Sequence, residues 1–440
     1  MTKTTTAIIL ICCCISRAQA ADIRATEARI IARVPEQKFV IFKTSGMTWE
    51  QKKKIVTDGG GRPIRDIALI NAVVARFPAG VAPSLQAHPQ VFDILDDGIA
   101  YMHGYEDNAA IWDGRASAKA TAPALMLGTK PQTPKQRVSP RSQPITTVQQ
   151  TPWNVERVNA PSVWRRSRGK GVKVCIVDSG VDTDHPDLMA NVASGKNFLT
   201  DSQGHNDTEF DDELGHGSHV SGIIAAIDDD LGIVGVAPGA SIYAARVFGK
   251  TGSTSWSTIV AALDWCVERR TQVINMSLGS SKENKALGLA IANAYKAGLV
   301  VVASAGNSSG GPVGFPAAYP QALAISSSDR FNKLSDFSSV GPEVDLIAPG
   351  SGDAKATTGS GRGILSTMFG GGYVEMRGTS MSAPHVTGTV ALLLGAAPNL
   401  SNEAVGSILR QSATNVGLSA SEQGSGLINI LAAVDSLGGS

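Results

Sequence analysis

The sequence predicts an α/β protein built on a doubly wound, mostly parallel sheet with helices on both faces. Three observations support this class. Strand-length apolar runs alternate with helical patterns between residues 150 and 437. The run at 172–177 is unbroken, as expected of a parallel strand covered on both faces. The chain also has 47 glycines and only 5% aromatic residues, which favours tight turns and small-residue helices over a helical bundle.

The length of the chain limits the number of domains, and its net charge limits the kinds of molecule it is expected to bind. A chain of 440 residues can hold one large domain or two to three ordinary ones. The net charge is +1, so no strong field draws the protein to nucleic acid or to a membrane. Neither is predicted as a partner, and a monomer is expected.

Residues 1–20 are predicted to be a secretory signal peptide. Lys3 precedes an apolar run at 7–15 that is too short to span a bilayer, and Ala18-Gln19-Ala20 offers a small-residue cleavage site. The expected location is therefore secreted and extracellular, with the periplasm as an alternative.

The cysteines do not form a disulfide-rich scaffold. Three of the five, at 12–14, lie in the leader, which leaves Cys175 and Cys266 in the mature protein. Each of these two lies in an apolar element. The sequence gives no distance between them, so two buried free thiols are predicted rather than a disulfide.

Residues 38–103 are predicted to form a small separate domain. Strands are predicted at 39–42, 67–77 and 99–102, and helices at 48–56 (opening on a Thr cap) and 83–88. This alternation suggests a β-α-β-β-α-β, ferredoxin-like α+β unit. The following stretch, 104–148, is rich in Pro, Ala and Gln and poor in apolar residues, so it is predicted to be a linker.

Residues 149–437 carry the predicted sheet. The predicted strands are 172–177, 241–247, 273–276, 299–303, 322–326 and 344–347, and the predicted helices are 216–227, 257–269, 286–297 and 382–396. Ligands of such sheets bind beyond the carboxyl ends of the strands. Asp178, Ser277 and Asn307 each stand at or just past such an end.

The stretch 378–386 is the strongest single candidate for chemistry. Glycine and small polar residues lead to Ser380, after which a helical pattern begins with Pro384 in its first turn. A hydroxyl at a helix N-terminus lies among unpaired N–H groups and the positive end of the helix dipole, which suits a developing oxyanion. Taken alone, the pattern also fits an ordinary serine N-cap.

Two further residues change that interpretation. Asp178 follows an apolar strand, where an ionised carboxylate requires a partner. His216 lies between Gly215 and Gly217, which allow another group to approach the imidazole closely. Asp, His and Ser on separate elements at one sheet edge fit nucleophilic acyl transfer, in which Ser380 attacks, His216 takes and returns the proton, and Asp178 orients the imidazole.

Nine segments of the sequence resemble the subtilisin family of serine proteases, the subtilases (peptidase S8). Among them, Asp178-Ser179-Gly180, Gly215-His216-Gly217 and Gly378-Thr379-Ser380 carry the three candidate residues. The segments lie at 177–182, 185–188, 215–220, 234–238, 275–279, 303–307, 337–342, 378–385 and 426–429.

The resemblance implies a serine endopeptidase acting on proteins and peptides. It makes Asp178, His216 and Ser380 the catalytic triad and Asn307 the side-chain oxyanion donor. It further implies that Ser277, Leu278 and Gly279 pair with the substrate as an added strand. The walls and floor of the primary pocket would be Ala305, Gly306 and Gly314. A glycine at 314 leaves that pocket deep, so broad specificity or a preference for large apolar side chains is expected.

The resemblance also implies a structural calcium ion near the acidic turn at 228–233. A hard cation gathers carboxylate and carbonyl oxygens. The expected ligands are Asp187, Asp229, the carbonyl groups of Ile227, Leu231 and Ile233, and Gln149. The alternative is a solvated acidic turn. The acidic run 207–213 leaves the same two alternatives open for a second ion.

Finally, segment 38–103 resembles the inhibitor-type propeptide of the family. A zymogen is therefore expected, in which this segment acts as an intramolecular inhibitor and self-cleavage beyond residue 103 places the mature start between about 104 and 149. Two other functions remain as alternatives: a catalytically silent relative that acts as a binding or structural protein, and an esterase or peptide ligase that uses the same site.

Overall fold

A computed structural model describes residues 37–78, 83–102, 148–199, 207–353 and 362–438. The predicted signal peptide and nearly all of the predicted linker lie outside these ranges. Contacts divide the chain into two compact units, one ending at Ile99 and the other beginning at Ala100.

The N-terminal unit has the β-α-β-β-α-β topology, but its fourth strand is Val91–Asp96. The strand predicted at 99–102 as part of this unit instead pairs with residues 278–279, so that assignment is wrong. The four strands of the unit form an antiparallel sheet in the order β2-β3-β1-β4. The core of the unit includes the buried side chains of Val40, Val56, Val73 and Phe77. The elements are β1 (Gln37–Phe42), α1 (Trp49–Asp58), β2 (Arg62–Ile67), β3 (Ala72–Arg76), α2 (Pro83–Gln86) and β4 (Val91–Asp96).

Local chemistry explains where this unit follows the prediction and where it departs from it. Thr48 caps α1, and the side chain of Gln51 binds back to the Thr48 N–H in a capping box. The single strand predicted at 67–77 is wrong, because a 3₁₀ turn and Asn71, at φ 50°, divide it into the end of β2 and β3. Strand β4 is not predicted, since its carboxylates interrupt the apolar pattern.

The second unit is organised on a seven-stranded, all-parallel sheet, which confirms the predicted doubly wound class and adds one strand to the six predicted. The strand order is β14-β13-β12-β10-β6-β8-β7. Its strands are β6 (Lys173–Asp178), β7 (Val192–Asn197), β8 (Ser241–Arg246), β10 (Val273–Met276), β12 (Val300–Ser304), β13 (Ala322–Ser328) and β14 (Val344–Pro349).

Helices flank this sheet in two packed groups. The main helices are α3 (Trp153–Arg157), α4 (His216–Ala225), α5 (Trp256–Glu268), α6 (Lys285–Lys296) and α7 (Thr379–Ala396), followed by α8 (Asn402–Ser412), α9 (Ala420–Gln423) and α10 (Ile430–Asp435). Helix α4 packs against α7, and α5 packs against α6. The buried core joins α4, α7 and the central strands through aliphatic side chains such as Ile176, Ile224 and Val390.

Smaller strands complete the unit around the sheet. They are β5 (Ile99–Met102), β9 (Ser253–Ser255), β11 (Leu278–Gly279), and the hairpin of β15 (Ile364–Met368) and β16 (Gly372–Met376). Strand β7 and the hairpin are not predicted, because glycine and polar residues break their apolar pattern. Within the described ranges, no helix has the length and apolar character needed to cross a membrane.

The two cysteines of this unit are joined in a disulfide. Cys175 lies in β6 and Cys266 in α5, and their Cα atoms are 5.9 Å apart. The prediction of two free thiols is therefore wrong. The reason is the packing of α5 on β6, which brings together residues 91 positions apart in the sequence.

Candidate active site

Asp178 and His216 form a buried pair at the carboxyl edge of the sheet. Asp178 is the last residue of β6 and His216 the first of α4, and both side chains are almost wholly buried. Asp178 Oδ1 lies 2.7 Å from His216 Nδ1, and the N–H of Ser179 donates to the same oxygen at 2.7 Å. A carboxylate facing Nδ1 keeps that nitrogen protonated, so Nε2 is left as the basic nitrogen.

Ser380 lies in the first turn of α7. This helix begins at Thr379, three residues earlier than predicted, with Gly378 as its N-cap residue. The Ser380 hydroxyl donates to the carbonyl of Ser277 at 3.2 Å, and the Ser277 hydroxyl donates to the Ser380 carbonyl at 2.9 Å. Because α7 packs on α4, the helix that carries the serine lies directly against the helix that carries the histidine.

Asn307 presents its amide nitrogen next to the backbone of this turn. Its Oδ1 accepts hydrogen bonds from Thr379 N at 3.0 Å and Thr379 Oγ1 at 2.9 Å. The buried Nδ2 has no partner among the described residues. A Cβ built on Gly378 would lie 3.4 Å from Asn307 Nδ2 and 3.7 Å from Ser380 N. Both N–H groups therefore border one small space, as an oxyanion site requires.

A three-stranded sheet lies beside Ser277, in the order β11-β5-β9. Tyr101 pairs with Gly279 and Met102 with Leu278 in antiparallel fashion, and the N–H of Met102 donates to the Gly252 carbonyl at 3.0 Å. The central strand is thus held on both sides by backbone hydrogen bonds.

The predicted primary pocket is walled largely by backbone. Gly314 N donates to the Ala305 carbonyl at 2.9 Å, which joins the two predicted wall segments. A Cβ on Gly314 would lie 3.2 Å from the Ser280 carbonyl oxygen. Gly306 has φ +112°, and a side chain there would be strained and close to Ser339. A side chain at either position would therefore meet neighbouring atoms closely.

Three carbonyl groups converge on one amide at the predicted calcium site. Gln149 Nε2 lies 2.9 Å from the Ile227 oxygen, 3.3 Å from that of Leu231 and 3.5 Å from that of Ile233. A flip of this amide exchanges Nε2 and Oε1 and turns the oxygen toward this point. Four oxygens would then converge there, which is the donor set that calcium prefers.

Asp187 adds a carboxylate to the same loop. Its Oδ2 accepts from Tyr373 Oη at 2.8 Å and Ile233 N at 2.9 Å, whereas the buried Oδ1 has no partner within the described ranges. Burial raises the pKa of this carboxyl, and the nearby Asp229 raises it further. The described residues contain no cluster of three His, Cys, Asp or Glu, so an ion at this point would be bound mainly by carbonyl groups.

The acidic run 207–213 faces protein donors. Asp211 accepts from Thr183 N at 3.2 Å, and Glu213 pairs with Arg246 at 3.0 Å. Asp207 lies 3.5 Å from Lys196. Three acidic side chains of the run thus have protein partners.

Sequence reasoning missed two residues that support the site. Thr379 holds the Asn307 amide, and Asp212 accepts five hydrogen bonds beside the first turn of α4. Burial raises the pKa of the Asp212 carboxyl, and its hydrogen bonds from Gly215, Ser218 and Leu214 act in the opposite direction. One feature of the sequence could have indicated Asp212. It is a carboxylate four residues before a helix that begins with histidine, and acidic groups stabilise helix N-termini.

Most of the chain is similar in sequence to known proteins. The sequence model of the subtilase family matches residues 169–426. The chain is 33% identical over 406 residues to subtilisin NAT of Bacillus subtilis subsp. natto, with 90% of each protein covered. It is 39% identical over 286 residues to subtilisin Savinase of Lederbergia lenta, covering 65% of this chain and 99% of that protein. It is 38% identical over 290 residues to alkaline elastase YaB of Bacillus sp. (strain YaB), covering 66% and 71%.

The fold and these matches define a serine endopeptidase of the subtilisin type. The chain belongs to the subtilase family. The match to subtilisin NAT extends into the N-terminal unit, because 90% of the chain is more than the part that begins at Ala100.

Proposed function

We propose that the chain cleaves peptide bonds of proteins through an acyl-enzyme formed on Ser380. The observation that carries the proposal is the buried 2.7 Å contact between Asp178 Oδ1 and His216 Nδ1, at the edge of the sheet where α7 begins. In this arrangement His216 is the general base, Asp178 orients the imidazole and stabilises its cation, and Ser380 is the nucleophile.

The proposed reaction proceeds by two balanced acyl transfers. Ser380 Oγ gives its proton to His216 Nε2 as it bonds to the substrate carbonyl carbon, and the carbonyl oxygen becomes an oxyanion. Asn307 Nδ2 and the Ser380 N–H stabilise this charge. His216 then protonates the leaving amine as the C–N bond breaks. Water then gives a proton to His216 and attacks the acyl-enzyme. The ester bond to Ser380 breaks, the acid product is released, and His216 returns the proton to Ser380 Oγ.

We infer that substrates bind as an added antiparallel strand between β11 and β9. Residues Tyr101 and Met102 already pair in this way, and we interpret them as the end of a propeptide that occupies the substrate position. Backbone hydrogen bonds supply binding that does not depend on side chains, which supports broad specificity. Acceptance of large apolar side chains is proposed because neither Gly306 nor Gly314 has a side chain that would fill the predicted pocket.

The same register supports a proposal for the position of self-cleavage. A substrate residue one place beyond the position of Met102 would stand opposite Ser277, whose carbonyl accepts from the Ser380 hydroxyl. The bond cut would be the one after that residue. Applied to the chain's own sequence, this is the His103–Gly104 bond, so the mature protein would begin at Gly104. The N-terminal unit would then be a propeptide that inhibits the enzyme until its removal.

Calcium is proposed as a structural ion. The residues fit it, since Asp187 Oδ1 lacks a partner among the described residues and three carbonyl groups converge near Gln149. Gln149, Asp187, Asp229 and the carbonyl groups of the loop 227–233 would hold the ion. Its contribution would be neutralisation of buried negative charge and fixation of the loop, with no part in the acyl transfer.

Export from the cell is proposed from two features of the chain. The leader at 1–20 has the composition of a signal peptide. The Cys175–Cys266 disulfide is typical of proteins that fold in an oxidising compartment. Recovery of the processed protein from the medium, rather than the periplasm, would distinguish the two predicted locations.

The test uses the full chain and two serine variants. Ser380→Ala should reduce kcat on a peptide substrate by about 10⁶ and abolish labelling by a fluorophosphonate. Purified alone, this variant should keep its N-terminal unit, whereas the parent should convert to a chain that begins at Gly104, as read by mass spectrometry. Ser382→Ala is the matched control, because it removes a buried hydroxyl two residues away.

The outcomes separate the alternatives. A parent that takes no fluorophosphonate and cleaves no peptide would be the silent relative. A parent that is labelled at Ser380 but turns over only esters, or transfers the acyl group to amines, would be the esterase or ligase. If Ser380→Ala is trimmed as fast as the parent, self-processing is wrong.

A further inference from the structure

Asp212 is a buried carboxylate surrounded by donors, next to the candidate active site. It is 4% exposed and lies four residues before His216. Its Oδ1 accepts from Leu214 N at 2.9 Å, Gly215 N at 2.8 Å and the Ser179 hydroxyl at 2.9 Å. Its Oδ2 accepts from Ser218 by both N and Oγ, at 2.8 Å and 2.7 Å.

These five bonds connect the two chain segments that carry the acid and the base. Ser179 directly follows Asp178 at the end of β6, and its hydroxyl also accepts from the N–H of Gly217 at 2.9 Å. Gly217 directly follows His216. Asp212 therefore joins the end of β6 to the first turn of α4 by a route separate from the bond between Asp178 and His216.

Asp212 accepts from two of the free N–H groups at the start of α4, those of Gly215 and Ser218. The N-terminal N–H groups of a helix lack partners within the helix. Gly215, the N-cap residue, makes no side-chain cap. Asp212 supplies the acceptor instead, with its negative charge at the positive end of the helix dipole. The imidazole belongs to the first residue of this turn, so a shift of the turn moves it directly.

We propose that Asp212 is a positioning residue that fixes the His216 imidazole against Asp178 for proton transfer. The inference rests on the proposed function. Asp212 touches neither substrate nor the reacting atoms and acts through the placement of α4. Displacement of a catalytic group by about 1 Å can cost about 10²-fold in rate. Loss of this carboxylate should therefore lower kcat more than it raises KM.

The first variant is Asp212→Asn in the mature enzyme. An amide nitrogen would face either the Ser218 N–H or the Leu214 and Gly215 N–H groups, so donors would oppose one another and the turn would shift. Per active enzyme, counted by fluorophosphonate titration, kcat should fall by about 10- to 100-fold, with KM changed by less than about threefold. Asp211→Asn, on the adjacent exposed residue, should leave both constants at the parent values.

A double-mutant cycle separates positioning from a general structural role. In an Asp178→Asn background the imidazole has lost the partner against which it is placed, so adding Asp212→Asn should lower kcat by less than about threefold. Equal fold-losses in the two backgrounds would overturn the proposal, as would parental kcat for Asp212→Asn accompanied only by a lower Tm.

A milder variant covers the case in which Asp212→Asn does not fold. Ser179→Ala removes only the hydroxyl that links Asp212 to Gly217, and it should lower kcat by about threefold to tenfold, again without effect in the Asp178→Asn background. Parental kcat in this variant would then overturn the inference. Failure of the proposed function looks different, since the parent itself would lack peptide cleavage and Ser380 labelling.

Discussion

Thr379 donates two hydrogen bonds to the side-chain oxygen of Asn307, one from its backbone N–H and one from its hydroxyl. These bonds fix which end of the amide faces the small space beside Ser380. The nitrogen faces it, and no other described group competes for its hydrogens. As the proposed oxyanion donor, Asn307 would thus be oriented before a substrate arrives, without reorganisation when charge develops.

The first prediction concerns this donor. Asn307→Ala should lower kcat by about 10²–10³-fold with little change in KM, the loss typical of removing one oxyanion donor from a subtilisin. Thr379→Val keeps the amide but removes one of its two anchors, so a smaller loss of about tenfold is expected. Steady-state kinetics on one peptide substrate give both values. An Asn307→Ala enzyme with raised KM and parental kcat would show that the amide binds the ground state instead.

The second prediction concerns the proposed calcium ion. Addition of calcium at about 100 times its Kd should stabilise the Ser380→Ala chain by about 2.7 kcal/mol, and a chelator should reverse this. Asp187→Asn should weaken or abolish the effect. Asp207→Asn, in the other acidic run, is the matched control and should respond to calcium as the parent does. Calorimetric titration measures calcium binding, and thermal unfolding measures the stabilisation. If Asp187→Asn is stabilised by calcium as much as the parent, this site is excluded.

The third prediction concerns the Cys175–Cys266 disulfide. Replacing both cysteines by alanine should destabilise the second unit by about 2–5 kcal/mol, because the bond closes a long loop of the unfolded chain. Thermal or denaturant unfolding in the Ser380→Ala background measures the change. Alkylation of the denatured mature protein without reductant should label neither cysteine. Labelling of both would show that the thiols are free.

The fourth prediction concerns acid stability. Burial lowers the pKa of His385 to about 4, and its Nδ1 donates to the Met381 carbonyl at 2.7 Å. Between the unfolded pKa of about 6.5 and about 4, the unfolded chain binds a proton that the folded chain does not. Stability should therefore be complete above pH 6.5 and fall as the pH drops to 4, by about 3 kcal/mol in total from this group.

His385→Gln removes this titration, so its unfolding free energy should decline less steeply over the same pH range, even if its stability at neutral pH is lower. The measurement is denaturant unfolding at several pH values in the Ser380→Ala background. His219, whose pKa burial lowers to about 3, contributes in the same direction in both proteins. Identical slopes for parent and variant would contradict the assignment.

The parts of the fold that could be predicted are those with one dominant local signal. The parallel strands are covered on both faces and read as continuous apolar runs, so the predicted bounds of β6, β10 and β12 agree with the observed ones to within one residue at each end. Strand β7, with the sequence VASGKN, has no such run, and only its pairing with β8 makes it a strand.

The candidate site likewise contains residues that the sequence pattern predicts and contacts that it does not. Asp178 and His216 stand at element boundaries in glycine-rich contexts, which makes them candidates on the sequence pattern alone. The link that Asp212 makes to the end of β6 depends on the hydroxyl of Ser179, which is 33 positions away in the sequence, and the disulfide depends on how α5 packs on β6. Both are consequences of tertiary packing, which a linear pattern does not record.

The disulfide begins three residues before Asp178 on the same strand. For an exported chain, this bond forms only after the polypeptide has left the reducing interior of the producing cell. The reduced chain inside the cell would consequently be less stable against unfolding, because no covalent bond yet joins β6, which carries Asp178, to α5. For a chain exported as proposed, full conformational stability would therefore be reached only outside the producing cell, whether or not the N-terminal unit has been removed.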